Sequence, residues 1–516
     1  MSNLARRAGR FSLATLISRT LGYARDAAVA HYFGGTGLTD AFYTAFRTSN
    51  LFRRLLGEGA LSSSFVPVFA QALKQDDRPR VQGFLSSLFT TLAAALLLIT
   101  AAGMVFTPAL THLIAPGFAG DEAKFRLTVQ LTRWIFPFFF FISLAALVTG
   151  VLNSLRHYFL PAAAPAMLSV CELAYLVFFM PSLSGDQKII GLAASVAVGG
   201  AAHFLVQLPS LYKEKFKLSF RWEPAHPDSV KVGRLMLPAV IGLSVDQIDA
   251  FVNTICATYL AEGSVTALYN SNRLMQFPLA LFGIAVATVS LTALSEHAAE
   301  KDYSKMGSTI LESLRIVAFI VTPATVGLMV LAQPIVKVLF EHGRFDPFST
   351  RLTALALAGY CLGLLAYSSV KTLANSFYAL HESKVPVRVA VACVGLSVTL
   401  NLALMRPFGV LGLALATAIA SWTNAVWLFI LIRKRLGADN MPLAELGATA
   451  AKTAACALAM AGFLFWVRSY FDSSVLQVLA GVLLGGALFM GSARLLRMKE
   501  CTSLLHMAGM GSNIED

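Results

Sequence analysis

QGFLSSLFTTLAAALLLITAAGMVFTPALTHL, from Gln82 to Leu113, runs for 32 residues without one Asp, Glu, Lys or Arg. A helix rises about 1.5 Å per residue, so this stretch exceeds the roughly 30 Å of a bilayer's hydrocarbon core and belongs in lipid. The rest of the chain agrees. Its 516 residues are 56% hydrophobic and only 13% charged, about half the charged fraction of a soluble domain, and mean hydropathy is +0.67. Further stretches between polar or Gly/Pro-bearing breaks bring the candidate spans to about fourteen: 11–33, 39–72, 82–113, 127–153, 159–181, 188–211, 230–260, 266–297, 306–332, 350–379, 386–405, 409–432, 444–467 and 475–493. The expected fold is an all-α polytopic membrane protein with no soluble domain. The basic start MSNLARRAGRF leads into a segment carrying Arg19, Arg25 and Asp26 with no small-residue cleavage site, so it is expected to remain as the first span. Six scattered cysteines form no CxxC pair, which points to neither a disulfide framework nor a metal site.

Short cytoplasmic loops collect Lys and Arg. One alternating set of connections holds 23 of the 41, including Arg6, Arg7, Arg10, Lys213, Lys215, Lys217, Arg433, Lys434 and Arg435, while the opposite set holds seven. Both termini are therefore expected in the cytoplasm and the number of spans is even. Shifted by 226 or 227 residues, the chain partly matches itself. YFGGTGLT at Tyr32–Thr39 faces YLAEGSVT at Tyr259–Thr266, and TPALTHLIAPGF from Thr107 faces AQPIVKVLFEHGRF from Ala332. An even-numbered repeat enters the membrane twice from the same side. The expected layout is an N-terminal lobe (1–212), a cytoplasmic linker (213–229), a pseudo-symmetric C-terminal lobe (230–436), each lobe with six helices, and two extra helices with a tail (437–516). That is a transporter layout.

Eleven cations remain inside the spans. Arg133, Arg315, Lys337 and Lys452 lie where a long side chain can snorkel to the interface. The first two spans are harder to place in lipid, since an ionised group at mid-bilayer costs at least about 2.5–3.5 kcal/mol. In the first span Arg19 and Asp26 project within about 20° of each other. In the second, Asp40, Arg47, Arg54 and Glu58 fall at about 0°, −20°, −40° and 0°, one polar stripe. Internal ion pairs, such as Arg54 with Glu58, are the structural alternative. Five arginines against Asp26, Asp40 and Glu58 nevertheless leave a cationic excess in this lobe, and Arg273 of YNSNRLMQFP adds one from the other. Arginine's planar fork suits phosphate or carboxylate, so the expected ligand is an anion in a wet cavity.

Span seven carries Asp246, Asp249 and Asn253, which with Asn401 and Thr417 could supply oxygens for a coupling proton or Na⁺; pairing with Lys371 is the alternative. His31, His112 and His203 read as interfacial or capping groups. No P-loop, HExxH or GxSxG occurs, so the expectation is a transporter rather than an enzyme, with no metal and no cofactor.

The stretches SRTLGYARDAAVAHYFG, TDAFYTAF, NLFRRLLGEGALSSSFVPVFA and YNSNRLMQFP resemble the MurJ (MviN) family of bacterial lipid II flippases, within the multidrug/oligosaccharidyl-lipid/polysaccharide exporter superfamily. The resemblance implies alternating-access transfer of undecaprenyl-pyrophosphate-disaccharide-pentapeptide from the inner to the outer leaflet of the cytoplasmic membrane, for peptidoglycan synthesis. It implies Arg19, Arg25, Arg53 and Arg273 as substrate contacts, with Asp26, Asp40 and Glu58 as acidic partners; the helical stripe adds Arg47 and Arg54 as surrounding cavity charges. Periodicity favours Arg54 where the resemblance favours Arg53. Some relatives place a Na⁺-binding carboxylate one turn after an asparagine; if that asparagine is Asn401, Met405 stands in its place here. The driving force is thus open between membrane potential, H⁺ and Na⁺. Expected partners are lipid II, membrane lipids and cell-wall synthesis proteins, with no nucleic acid, and the expected state is a monomer. The rivals are an exporter of another lipid-linked oligosaccharide, a non-transporting cell-wall scaffold and an enzyme acting on lipid pyrophosphates.

Overall fold

The structure, a computed structural model, describes residues 3–75 and 77–502; side chains of residues 3–15, 56–58, 241–243, 245, 246 and 284 lie outside the described set. Two expected site residues, Glu58 and Asp246, and the tail 503–516 therefore fall outside it. Among the described residues every regular element is a helix. By packing, the chain divides into two units, one ending at Val265 and one beginning at Thr266.

The first unit contains α1 (Asn3–Phe33), α2 (Gly37–Phe52), a π-helical segment (Arg53–Leu61), α3 (Ser62–Lys74), α4 (Arg78–Val105), α5 (Thr107–Ile114), α6 (Glu122–Ile135), α7 (Pro137–Ser154), α8 (Phe159–Ala163), α9 (Ala166–Ala174) with a second π-helical segment (Tyr175–Phe179), α10 (Gln187–Lys213) and α11 (Pro227–Thr258). Local signals set the helix starts. Pro79, Pro108, Pro137 and Pro227 stand in first turns, where a missing N–H costs nothing. Asp77 and Asp121 cap α4 and α6 by accepting from Arg80 N and Lys124 N. Phe65, Phe69 and Phe84, with Leu147, Val151 and Leu211, fill the core.

The expected linker is an ordered strap along α4. Gln82 exchanges hydrogen bonds with the Lys217 backbone, Ser86 bonds Ser219 at 2.8 Å, and Thr90 accepts from Arg221 N at 2.9 Å. Two extended residues advance about 6.6 Å and four helical residues about 6 Å, so alternate strap residues keep pace with one polar side chain per helical turn. The strap ends in α11, which packs against α3 and the first π-helical segment. This is why the packing division falls after Val265, one helix beyond the boundary expected at 213–229.

The second unit contains α12 (Ser264–Pro278), which opens just before the division and runs into a π-helical segment (Leu279–Gly283), then α13 (Ile284–Ala299), α14 (Tyr303–Val330), α15 (Ala332–Phe340), α16 (Pro347–Cys361), α17 (Leu364–Ala379), α18 (Lys384–Leu436), α19 (Ala444–Tyr470) and α20 (Ser474–Leu495). Helix α18 is two spans in one: Gly409, at φ 56° and ψ −131°, breaks it at the first residue of the stretch expected at 409–432, after the one expected at 386–405. The repeat is visible in helix order. Arg78, Thr107 and Glu122 open α4, α5 and α6, and Tyr303, Ala332 and Pro347 open α14, α15 and α16, each 225 residues later. The π-helical segments after α2 and α12 also correspond. Helices α19 and α20 lie beyond the repeat, with Met460, Leu464 and Phe489 packed against Phe319 and Leu331.

Among the described residues, nine helical stretches are long and apolar enough to cross a membrane. The expected number, about fourteen, is not reached by that measure. Helices α1 and α11 have the length, at 31 and 32 residues, and both include residues outside the described set.

Candidate functional site

The expected charges of the first unit lie on α1, on α2 and the π-helical segment that follows it, and on α11. Arg25 is the most enclosed of the arginines among the described residues, 5% exposed, where α1 meets α2 and α9. Its Nε and Nη2 donate to Asp26 Oδ1 at 2.9 and 2.6 Å, its Nη1 donates to Glu172 Oε1 at 3.2 Å, and the Phe46 ring lies 6.0 Å from the guanidinium carbon. Asp26 and Glu172 are each 1% exposed. Sequence reasoning missed Glu172. It tallied cations embedded in spans, and the same tally of carboxylates in AMLSVCELAYLVFF would have singled it out.

The other expected residues separate into groups. Arg19 is exposed on α1. Arg53 is half-buried and donates through Nε to Asn50 at 2.5 Å, whereas Arg54 is exposed. The stripe drawn through Asp40, Arg47, Arg54 and Glu58 takes constant winding, whereas the helix turns π-helical at Arg53 and i→i+5 bonding adds about a residue per turn, so the 100° step does not apply beyond that point. Arg47 Nη1 reaches Thr254 of α11 at 2.5 Å. Asp40 lies at the opening turn of α2, buried, where Oδ2 accepts from Gly263 N at 2.8 Å and Lys124 Nζ at 3.2 Å.

That contact belongs to a seam between the end of α1 and the end of α11. Glu262 accepts from Gly37 N at the α2 N-terminus, and Gly117 N donates to Thr258 Oγ1 at 3.2 Å. Gly263 holds φ +84°, and a Cβ there would meet the Gly35 carbonyl oxygen at 2.5 Å. Both carboxylates therefore sit at the positive end of α2, where unpaired N–H groups favour negative charge.

On α11, Asp249 is half-buried and Asn253 buried, both facing partners within the protein. In the second unit Arg273 is half-buried on α12, Lys371 is exposed on α17, Thr417 Oγ1 turns back to the Leu413 carbonyl, and Asn401 is fully buried. The cations expected to snorkel find partners at helix ends: Arg133 on the Met104 carbonyl, Arg315 with Glu445 and Glu500, Lys337 with Glu341, and Lys452 on the Leu496 carbonyl. His203 departs from expectation, being buried inside α10 rather than interfacial.

Charged, partly polar helices set among nine long apolar stretches, counted among the described residues, define a polytopic helical membrane protein. A solved inward-facing multidrug resistance MATE family transporter of the MOP superfamily shares this fold, with a TM-score of 0.67 over 84% of this chain and 98% of that one at 14% identity. The chain belongs to the lipid II flippase MurJ family, whose model matches residues 29–483. A lipid II flippase MurJ of Burkholderia cenocepacia is 35% identical over 89% of both chains, and a probable lipid II flippase MurJ of Vibrio cholerae is 35% identical over 81% of both. A solved lipid II flippase MurJ in an inward closed conformation superimposes with a TM-score of 0.79 at 25% identity, covering 94% of this chain and 99% of that one.

Proposed function

We propose that this chain flips lipid II, an undecaprenyl-pyrophosphate-linked peptidoglycan precursor, from the inner to the outer leaflet of the bacterial cytoplasmic membrane by alternating access. The observation that carries the proposal is the family match across residues 29–483. The chemistry of the first unit supports it, because a guanidinium with two carboxylate partners is a site at which a phosphate oxygen can exchange for a carboxylate oxygen. Arg25 and Arg53 are the first unit's phosphate contacts, Arg19 meets the head group on entry, and Arg273 is the contact supplied by the second unit. Asp246, Asp249 and Asn253 on α11, with Lys371, Asn401 and Thr417, remain the groups to test for ion coupling. The protein holds the pyrophosphate and breaks no bond.

The polyprenyl tail stays in lipid, since about 0.8 kcal/mol is lost for each CH₂ brought into water. Helices α19 and α20 offer it an apolar face with Leu458, Phe465, Leu483 and Leu484 exposed. Both termini face the cytoplasm, the partners are lipid II and membrane lipids, and the chain works as a monomer.

The test replaces Arg273 by Ala in cells that depend on this protein and follows lipid II at the outer leaflet. The proposal expects at least a tenfold loss of exposure at unchanged protein level. Normal exposure would overturn the phosphate grip and favour a scaffold that transports nothing.

A further inference from the structure

Which of Arg25's two carboxylate partners gives way to phosphate is decided by where they sit, and Glu172 sits in a costly place. A carboxylate taken out of water is costly unless a partner compensates it, and Glu172 sits at 1% exposure on α9. Its partner Arg25 is already held twice by Asp26.

The two carboxylates hold Arg25 differently. Asp26 follows Arg25 in the chain, moves with α1 and takes the Nε and Nη2 hydrogens on one oxygen. Glu172 reaches Nη1 from another helix, through one longer bond of 3.2 Å. It lies one turn before the π-helical segment Tyr175–Phe179, a local change of winding at which a helix can shift register. A phosphate grips arginine bidentately along a pair of adjacent N–H groups. With Asp26 on the Nε side, the Nη1 side that remains is the one Glu172 occupies.

We propose that Glu172 is a positioning residue that stands in for phosphate: it holds the Arg25 guanidinium while the site is empty and is displaced when a pyrophosphate oxygen arrives. This rests on the substrate proposed above and deepens it. The exchange replaces one negative partner by another, so the Nη1 side of Arg25 keeps an anion both loaded and on the empty return. Glu172 therefore weakens ground-state binding and speeds release.

Two measurements on the full-length protein in nanodiscs test this. In the first, phenylglyoxal labels arginines and mass spectrometry reads Arg25. Glu172→Gln is expected to label Arg25 about threefold faster or more, and Glu172→Asp, which keeps the charge, to restore the parent rate. An unchanged rate in Glu172→Gln overturns the hold on Arg25. In the second, undecaprenyl pyrophosphate is titrated, with undecaprenol as control. Glu172→Gln is expected to bind the pyrophosphate about fivefold more tightly, the effect of removing one competing charge-assisted hydrogen bond, with slower turnover in vesicles. Unchanged or weaker binding overturns the displacement. If the parent does not prefer pyrophosphate over the alcohol while labelling accelerates as expected, the substrate assignment falls with the displacement, and only the hold on Arg25 survives.

Discussion

Arg25 shows what a single buried charge obliges its neighbours to do. Removing one partner from a buried ion pair typically costs about 3–5 kcal/mol, because the other charge is left uncompensated. Arg25→Ala would strand Asp26 and Glu172 together. The variant is expected to melt well below the parent in detergent, and Arg25→Ala/Glu172→Gln to recover part of the loss; equal melting temperatures for parent and Arg25→Ala would contradict the cluster. Arg25 and Asp26 were legible in the sequence because charge in an apolar span is expensive and stands out. Glu172 was legible by the same physics and was passed over only because cations were being counted. The choice between Arg53 and Arg54 was not legible from spacing, since helical projection assumes constant winding and the π-helical segment begins at Arg53 itself.

At the scale of elements, hydropathy located the helices well, and the break at Gly409 falls at the first residue of the second of two spans drawn from the sequence alone. What it could not locate was the allegiance of α11, which depends on hydrogen bonds between the strap and Ser86, Ser87 and Thr90 of α4. The seam at the far end of α11 makes a prediction. Gly263→Ala forces a side chain into the left-handed region and against the Gly35 carbonyl, a strain of about 1–2 kcal/mol. Cysteine placed at Thr258 should then react faster with maleimide; an unchanged rate would mean that the seam does not depend on this turn. Helix α14 offers a pH test. The Lys305 backbone N–H, and then its ammonium, hold the Asp302 carboxyl below its usual value of 3.8. A depressed carboxylate stabilises above its unfolded pKa and loses that contribution as pH falls through the folded value. Amide protection of the first turn, Tyr303 to Met306, should therefore decline below about pH 4, and Asp302→Asn, still a cap, should flatten the dependence. Protection that rises with acid would reverse the assignment.

For the whole molecule the remaining issue is what drives the cycle, and the sequence and structure together favour an answer. Asn401 is fully buried, and among the described residues neither of its amide atoms has a hydrogen-bond partner, while Met405 occupies the position one turn later. A thioether is a poor ligand for a hard cation such as Na⁺, which takes oxygen. Carrying one negative charge outward across an inside-negative membrane would release about 2.3 kcal/mol per 100 mV. A pyrophosphate-linked lipid needs no coupling ion to be driven in that direction. In vesicles with the purified protein, outward transfer of lipid II is expected to continue when Na⁺ is replaced by K⁺ and to slow severalfold when valinomycin collapses the potential. Transfer that stops without Na⁺ would make Asp249 and Asn253 on α11, and separately Asn401 and Thr417 in the second unit, the groups to replace next in the search for ion ligands. Indifference to both treatments would leave the cycle driven by consumption of lipid II at the outer face, and Met405→Asp would then be expected to add no dependence on Na⁺.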